Sequence, residues 1–305
     1  MSSFEDDTVS RRQFLLYGTS IVAAHFVGFC APGQCAGQFG QEAARERRAI
    51  VMLHLRGGND SLNMTVPYNA NWYYDARPNI AVPRASVLPL DDQIGLPQEM
   101  SALHQLFKRG EVAIYPATGH GNMSKSHVRA AEMWNISYDD WVRGDAVRAT
   151  DSHRPIEFLC DDPSTLAHAF ESTCEFLRHG TGSIHITLDG FDTHDNQYDR
   201  HMALLQAVSQ ALDSFQTQLR REGMDKNVVT FVYSEFGRRA FENDELGTTH
   251  GEAGAVLVVG TSIKGGVYDG TLLMKPNGDL TVQTEFRDVL AKLPLRPCQR
   301  IQSIV

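Results

Sequence analysis

Much that would announce a function is missing from this chain. Only five of its 305 residues are cysteine, with no C-x-x-C pair among them, so thiolate clusters are a poor basis for a metal site. No apolar run reaches the ~20 residues that span a bilayer, which argues against a stable membrane span in the mature protein. The basic residues are dispersed and the formal net charge is -9, so the electrostatic footprint of a nucleic-acid-binding protein is absent. There is no G-x-S-x-G elbow, no H-E-x-x-H, no phosphate-cradling P-loop and no dinucleotide fingerprint. Ordinary serine hydrolase, metalloprotease, nucleotide hydrolase and dehydrogenase readings therefore lack their signals.

What remains is the composition of a compact globular protein, 21% charged and 42% hydrophobic. Twelve histidines outnumber the cysteines, and imidazole with carboxylate is the usual ligand set for divalent ions where thiolates are few.

At the N-terminus, Ser10-Arg11-Arg12-Gln13-Phe14-Leu15 sets two arginines ahead of the modestly apolar stretch from Leu15 to Phe29, the arrangement of a twin-arginine export signal. This predicts a signal peptide over 1–37, the twin-arginine export machinery as a partner, and a periplasmic or secreted protein. It leaves 38–305 as one domain, and roughly 265 residues suffice for a substantial core. Cleavage is expected among the small residues from Ala31 to Ala44. Cys30 and Cys35 fall within or beside the signal, leaving Cys160, Cys174 and Cys298, of which Cys160 and Cys174 are candidates for a bridge.

Along the mature chain, short apolar runs alternate with helical patterns, the signature of an α/β fold with a mostly parallel sheet. Strands are expected at Ala49 to Leu55, Glu111 to Ala117, Ser183 to Leu188, Asn227 to Tyr233 and Ala255 to Val259. Helices are expected at Met100 to Lys108, from Ser126 onward, at Thr165 to Arg178, and from His201 to near Gly223. Tyr138 to Trp141 and Cys160 to Ser164 read as loops.

Polar residues gather after the strands, at the carboxyl edge where open α/β sheets bind ligands. Arg56-Gly57-Gly58-Asn59-Asp60 makes Asp60 either a ligand or a turn cap. Ser126, at a helix start, is a cap, a metal ligand or a nucleophile. Asp192 and His194, two apart in an extended loop, can share an ion. Glu235 follows a buried strand, and His250 lies between glycines in Gly247-Thr248-Thr249-His250-Gly251. His201 reads as ordinary helix. Arg56, Lys125 and Arg238 are candidates to neutralise a transferred oxyanion, or plain surface charges.

Taken together, Arg56-Gly57-Gly58-Asn59-Asp60, Ser126-His127, Gly190-Phe191-Asp192-Thr193-His194, Ser234-Glu235-Phe236-Gly237-Arg238 and Gly247-Thr248-Thr249-His250-Gly251 resemble the family called domain of unknown function 1501. That family is similar in fold to alkaline phosphatases, sulfatases and cofactor-independent phosphoglycerate mutases. The resemblance implies a three-layer α/β/α sandwich of the alkaline-phosphatase type carrying divalent metal ions, two in the superfamily pattern, with zinc, calcium, magnesium and manganese all open. It implies Asp60, Asp192, His194, Glu235 and His250 as metal ligands, Ser126 as nucleophile and Arg238 as a further catalytic group. Two departures stand out. The family commonly has Gly-Thr-Asp-His-Gly where this chain has Thr249, and the segment between Trp134 and Ser183 is short. The expected activity is metal-dependent hydrolysis of phosphate or sulfate esters; the alternative is a non-catalytic metal-binding or scaffolding protein with the same fold.

Overall fold

The computed structural model describes residues 48–122, 124–143 and 155–294. The export signal expected over 1–37, its cleavage region from Ala31 to Ala44, and Cys298 lie outside the described residues.

The chain alternates strand and helix. The strands are β1 (Ala49–Leu55), β2 (Val87–Pro89), β3 (Gly95–Pro97), β4 (Val112–Gly119), β5 (Ile156–Cys160), β6 (Ser183–Leu188), β7 (Val228–Tyr233), β8 (Arg238–Glu242), β9 (Thr248–His250), β10 (Gly254–Val259), β11 (Gly266–Val267) and β12 (Thr284–Glu285). The helices are α1 (Ser61–Met64), α2 (Asn71–Ala76), α3 (Ser101–Lys108), α4 (His127–Arg143), α5 (Leu166–Arg178), α6 (Gln197–Glu222) and α7 (Phe286–Ala291).

The central sheet runs β11-β4-β10-β7-β1-β6-β5, with β12 also beside β4. Neighbouring strands are parallel except where β10 joins antiparallel to β4 and β7. The strict alternation of side chains along a strand divides β1 between two cores. Val51, Leu53 and Leu55 face the core covered by α3, α5 and α6, while Ile50 and Met52 face the one that contains Trp134 of α4 and Phe286 of α7. Being buried on both sides, β1 and β7 need apolar residues at nearly every position, which is why they read as continuous runs. Each fully buried Val, Leu, Ile or Phe contributes about 1.5–3 kcal/mol, so this middle layer is the stable frame of the molecule. The three-layer α/β/α sandwich with a mostly parallel sheet is the observed architecture.

Some local expectations need correcting. Tyr138 to Trp141 is not a loop but lies past the third turn of α4, where Tyr138 is buried against the sheet and donates to or accepts from Ser183 Oγ at 2.6 Å. Helix α6 starts at Gln197 rather than His201, because in its first turn the one buried residue, Gln197, is held by polar contacts that apolar periodicity does not register. It ends as expected at Gly223, whose φ of +70° suits the left-handed cap. Cys160 and Cys174 are both buried and free, so they form no bridge.

Candidate metal centre

The parallel strands deliver their loops to one edge: 56–60 after β1, 120–122 and 124–126 after β4, 189–196 after β6 and 234–237 after β7. β10 runs the opposite way and starts at this edge, so the β8–β9 hairpin that precedes it brings His250 to the same place. The loops touch directly. A Cβ on Gly57, whose φ is +123°, would stand 2.2 Å from the Asp192 amide nitrogen, so only glycine admits this crossing.

Around Asp192 the polar atoms converge. Its Oδ1 lies 3.0 Å from His194 Nε2 and 3.2 Å from His250 Nε2, and its Oδ2 lies 3.6 Å from His127 Nε2. The two Nε2 atoms of His194 and His250 are 3.0 Å apart. His127, Asp192 and His250 each offer a ligand atom, all within 4.8 Å of one another, and so form a group that could hold a metal ion.

The hydrogen bonds behind this group assign the imidazole protons. A carboxylate or a carbonyl oxygen only accepts. Glu235 Oε1 is 2.7 Å from His127 Nδ1, and the Lys125 carbonyl is 3.0 Å from His250 Nδ1, so both Nδ1 atoms carry hydrogen. In the neutral rings both Nε2 atoms are then bare and turned toward a carboxylate. Lone pairs meeting lone pairs call for a cation between them: a proton on His194 Nε2 relieves two of the contacts, and a divalent ion would relieve more. Imidazoles whose second nitrogen is tied to an oxygen behind are the usual form of metal-ligating histidine, and a mixed nitrogen and carboxylate set suits zinc or a similar ion.

The electrostatics agree with that reading for Asp192, Glu235 and His250, whereas the protonated form of His127 is favoured and would have to give up its Nε2 proton to a metal. Burial opposes the charge on Asp192, but the hydrogen bond and charge of Arg238, with His250 and His194, hold its pKa below the ordinary carboxylate value. Burial likewise opposes ionisation of Glu235, and hydrogen bonds from His127 and His54 outweigh it, holding the carboxyl well below the usual range. His127 is raised, chiefly by its bond to Glu235, whereas His250 is lowered, chiefly by burial. The Phe236 ring packs at 4.9 Å from His127 and 4.7 Å from His250, fixing the planes of both imidazoles.

The structure thus brings Asp192, His194 and His250 together and places the other expected residues differently. Asp60 does not join them. It is fully buried, with Oδ2 2.5 Å from Arg77 Nη1 and Oδ1 3.0 Å from Arg77 Nη2; it also caps Leu62 and accepts from Gln197 Nε2. Burial raises its pKa, but Arg77, His201 and Gln197 together leave it lowered. Its link to the site is indirect: Gln197 Oε1 accepts from Thr193 Oγ1 at 3.0 Å and Thr248 Oγ1 at 2.6 Å, pinning the loops that carry Asp192, His194 and His250.

Glu235 stands behind His127 rather than beside Asp192. Arg238 is buried: Nε binds the Gly58 carbonyl at 2.7 Å, Nη1 that of Thr248 at 2.7 Å, and Nη2 those of Gly57 at 2.5 Å and Phe191 at 3.1 Å, besides Asp192 Oδ1 at 2.5 Å. It is a clamp across three loops that also holds Asp192, and not a free guanidinium for a substrate. Ser126 is exposed immediately ahead of α4, its carbonyl accepting from Ala130 N at 2.9 Å, and the exposed Thr249 stands one residue from His250.

Two residues were not singled out as site residues from the sequence. His127 follows Ser126 in the same motif and opens α4, and its position at a helix start after a strand-edge loop is the signal that could have marked it. His54 is the one polar side chain in the apolar run of β1, and its Nε2 lies 2.9 Å from Glu235 Oε2.

Residues 173–293 match the profile of a family described as "Protein of unknown function (DUF1501)", which bears out over that span the resemblance drawn from the motifs. No curated protein matches the chain in sequence. Among solved structures, the lipoteichoic acid synthase LtaP from Listeria monocytogenes shares 9% identity over 75% of this chain and 73% of its own, with a TM-score of 0.41. A protein in the alkaline phosphatase superfamily from Vibrio parahaemolyticus shares 10% over 72% of this chain and 62% of its own, with a TM-score of 0.37. The PsFucS1 sulfatase from Pseudoalteromonas sp. shares 9% over 84% and 71%, with a TM-score of 0.30. These are likenesses of general layout at very low identity. No helix among the described residues is long and apolar enough to cross a membrane.

Proposed function

We propose that this protein is an exported, metal-dependent hydrolase of phosphate or sulfate esters, acting in the periplasm or outside the cell. The single observation that carries the reading is the convergence of His127, Asp192 and His250, two of whose imidazoles are held with bare Nε2 atoms facing a carboxylate. A divalent ion there would supply a Lewis acid for the ester oxygens. The residues around the site explain why an anionic ester needs one. Lys125 Nζ is paired with Asp279 at 2.7 Å, Arg56 is paired with Asp189, and Arg238 is committed to carbonyls and Asp192. Without an added cation a phosphate would meet the Asp192 carboxylate with no uncommitted positive group among these three.

In this reading Asp192, His127 and His250 hold the ion, Glu235 and the Lys125 carbonyl orient the two imidazoles, and Ser126 is the nucleophile. His194, 45% exposed and in contact with Asp192, is placed to hold or release a proton or to add a ligand. The competing reading, a metal-binding protein without turnover, draws its support from the same commitment of Arg238, Lys125 and Arg56.

A screen of 4-nitrophenyl phosphate and sulfate with zinc, manganese, magnesium or calcium, run on wild type and Ser126→Ala, separates the two. Turnover that falls at least about 100-fold in Ser126→Ala while bound metal is retained supports the enzyme. Metal bound by both proteins with turnover in neither supports the binding protein.

A further inference from the structure

We propose that His54 is a positioning residue of the metal centre: acting through Glu235, it fixes the ring of His127 with Nε2 turned toward Asp192. The inference rests on the metal-dependent reading and adds to it a residue outside the ligand set.

His54 is the penultimate residue of β1 and sits on the α4 side of the sheet, 13% exposed, its ring stacked on Tyr233 at 4.9 Å and 12°. Its Nε2 must be the donor in the 2.9 Å contact with Glu235 Oε2, because a carboxylate only accepts. Glu235 is 1% exposed, and a buried carboxylate needs donors on both oxygens. Oε1 has two, the Gly57 amide at 2.8 Å and His127 Nδ1 at 2.7 Å.

Oε2 has a second neighbour in Ser234 Oγ at 3.2 Å, but that hydroxyl has one proton and lies 2.6 Å from the Leu55 carbonyl, a much shorter contact. The Ser234 proton therefore goes to Leu55, and Ser234 in turn accepts from the Asn59 amide at 2.8 Å. Among the described residues His54 is the one side chain left to donate to Oε2. Without it, Oε2 has no side-chain donor, and only the Glu235 amide remains to supplement the two donors on Oε1. The group is then free to turn, which loosens the bond that sets the tautomer and plane of His127.

The test uses zinc as the probe and the full-length protein. Zinc affinity is measured by competition with a chelating dye for wild type, His54→Phe, which keeps the stack on Tyr233 but offers no N–H, and His54→Gln, which restores an N–H donor. The imidazole ¹⁵N spectrum of each metal-free protein reports the tautomer of His127. We expect His54→Phe to bind zinc roughly 10–100-fold more weakly, with a native circular-dichroism spectrum and with the Nδ1–H form of His127 lost. His54→Gln should recover affinity to within a few-fold. Zinc affinity and His127 tautomer both unchanged in His54→Phe would overturn the role of His54, as would a His54→Gln protein no better than His54→Phe. Wild type that binds no zinc would overturn the metal reading, and the ¹⁵N comparison on metal-free protein would then decide the His54–Glu235–His127 link by itself.

Discussion

Asp60 and Asp192 follow neighbouring strands of one sheet, a few residues beyond the same edge, yet the fold treats them in opposite ways. Asp60 is wholly buried against an equally buried Arg77, and its oxygens accept from Arg77, Gln197 and the Leu62 amide. Asp192 is about half exposed, and beside the one buried guanidinium that holds it lie three histidines, two with bare nitrogens turned toward it. A carboxylate whose acceptor capacity is matched by donors is scaffold. A carboxylate that faces other acceptors is waiting for a cation. On the proposed reading, the same residue type after the same kind of strand carries stability in one place and chemistry in the other.

The strongest way to break this contrast is to remove the buried guanidinium in one place and the half-exposed carboxylate in the other. Arg77→Met should leave Asp60 buried and unpaired and lower the unfolding free energy by about 3–5 kcal/mol, read from urea denaturation. Asp192→Asn keeps an amide oxygen beside Arg238, whose four carbonyl partners remain, so it should cost clearly less stability than Arg77→Met while losing metal. Comparable stability losses in the two variants would erase the distinction.

Next in size is the contact between the two loops. Gly57→Ala places a Cβ against the Asp192 backbone at a φ of +123°, and the strain should destabilise the protein by about 1–3 kcal/mol. Unlike Arg77→Met, it should also weaken zinc binding, because Asp192 itself is displaced. Calorimetric melting with and without zinc checks both expectations.

The subtlest test is pH. His201, buried in the Asp60 region beside Asn59, is pushed down by burial to about 4, so the folded state keeps it neutral where the unfolded chain would protonate it. The unfolded state therefore binds more protons between the ordinary histidine value of 6.5 and about 4. The stability this neutral ring contributes is fully present above 6.5 and is lost as pH falls through that window, where urea midpoints should decline. The depressed pKa of Asp60 acts in the same direction but only at lower pH, as the carboxylate is protonated below the ordinary aspartate value of 3.8. In His201→Gln the decline between 6.5 and 4 should be shallower; an unchanged slope would assign it elsewhere.

Most of the sheet was legible in the sequence because strands buried on both faces demand unbroken apolar runs, as in Ala49 to Leu55 and Val228 to Tyr233. The convergence of Asp192 and His194 was legible from their spacing within one loop, and His250, which comes from the β8–β9 hairpin, was legible from its place at the same edge of the sheet. Asp60, Glu235 and Arg238 were placed at the correct edge but given the wrong neighbours, since whether a carboxylate meets a guanidinium or an imidazole depends on side chains such as Arg77, His54 and His127 that arrive from other parts of the chain. The burial of α4 beyond Asn135 was hidden by Asp139 and Asp140, which lie on its exposed side while Tyr138 faces inward. The turn of α6 ahead of His201 was hidden by a buried face made of Gln197 rather than leucine.

The most direct test of the account is elemental analysis of purified, metal-supplemented protein, comparing wild type with Asp192→Ala and His250→Ala. The account predicts a divalent metal near one per chain or above in wild type and its loss in both variants. Folded wild type that carries no metal, or variants that retain it fully, would contradict the claim that His127, Asp192 and His250 form the site.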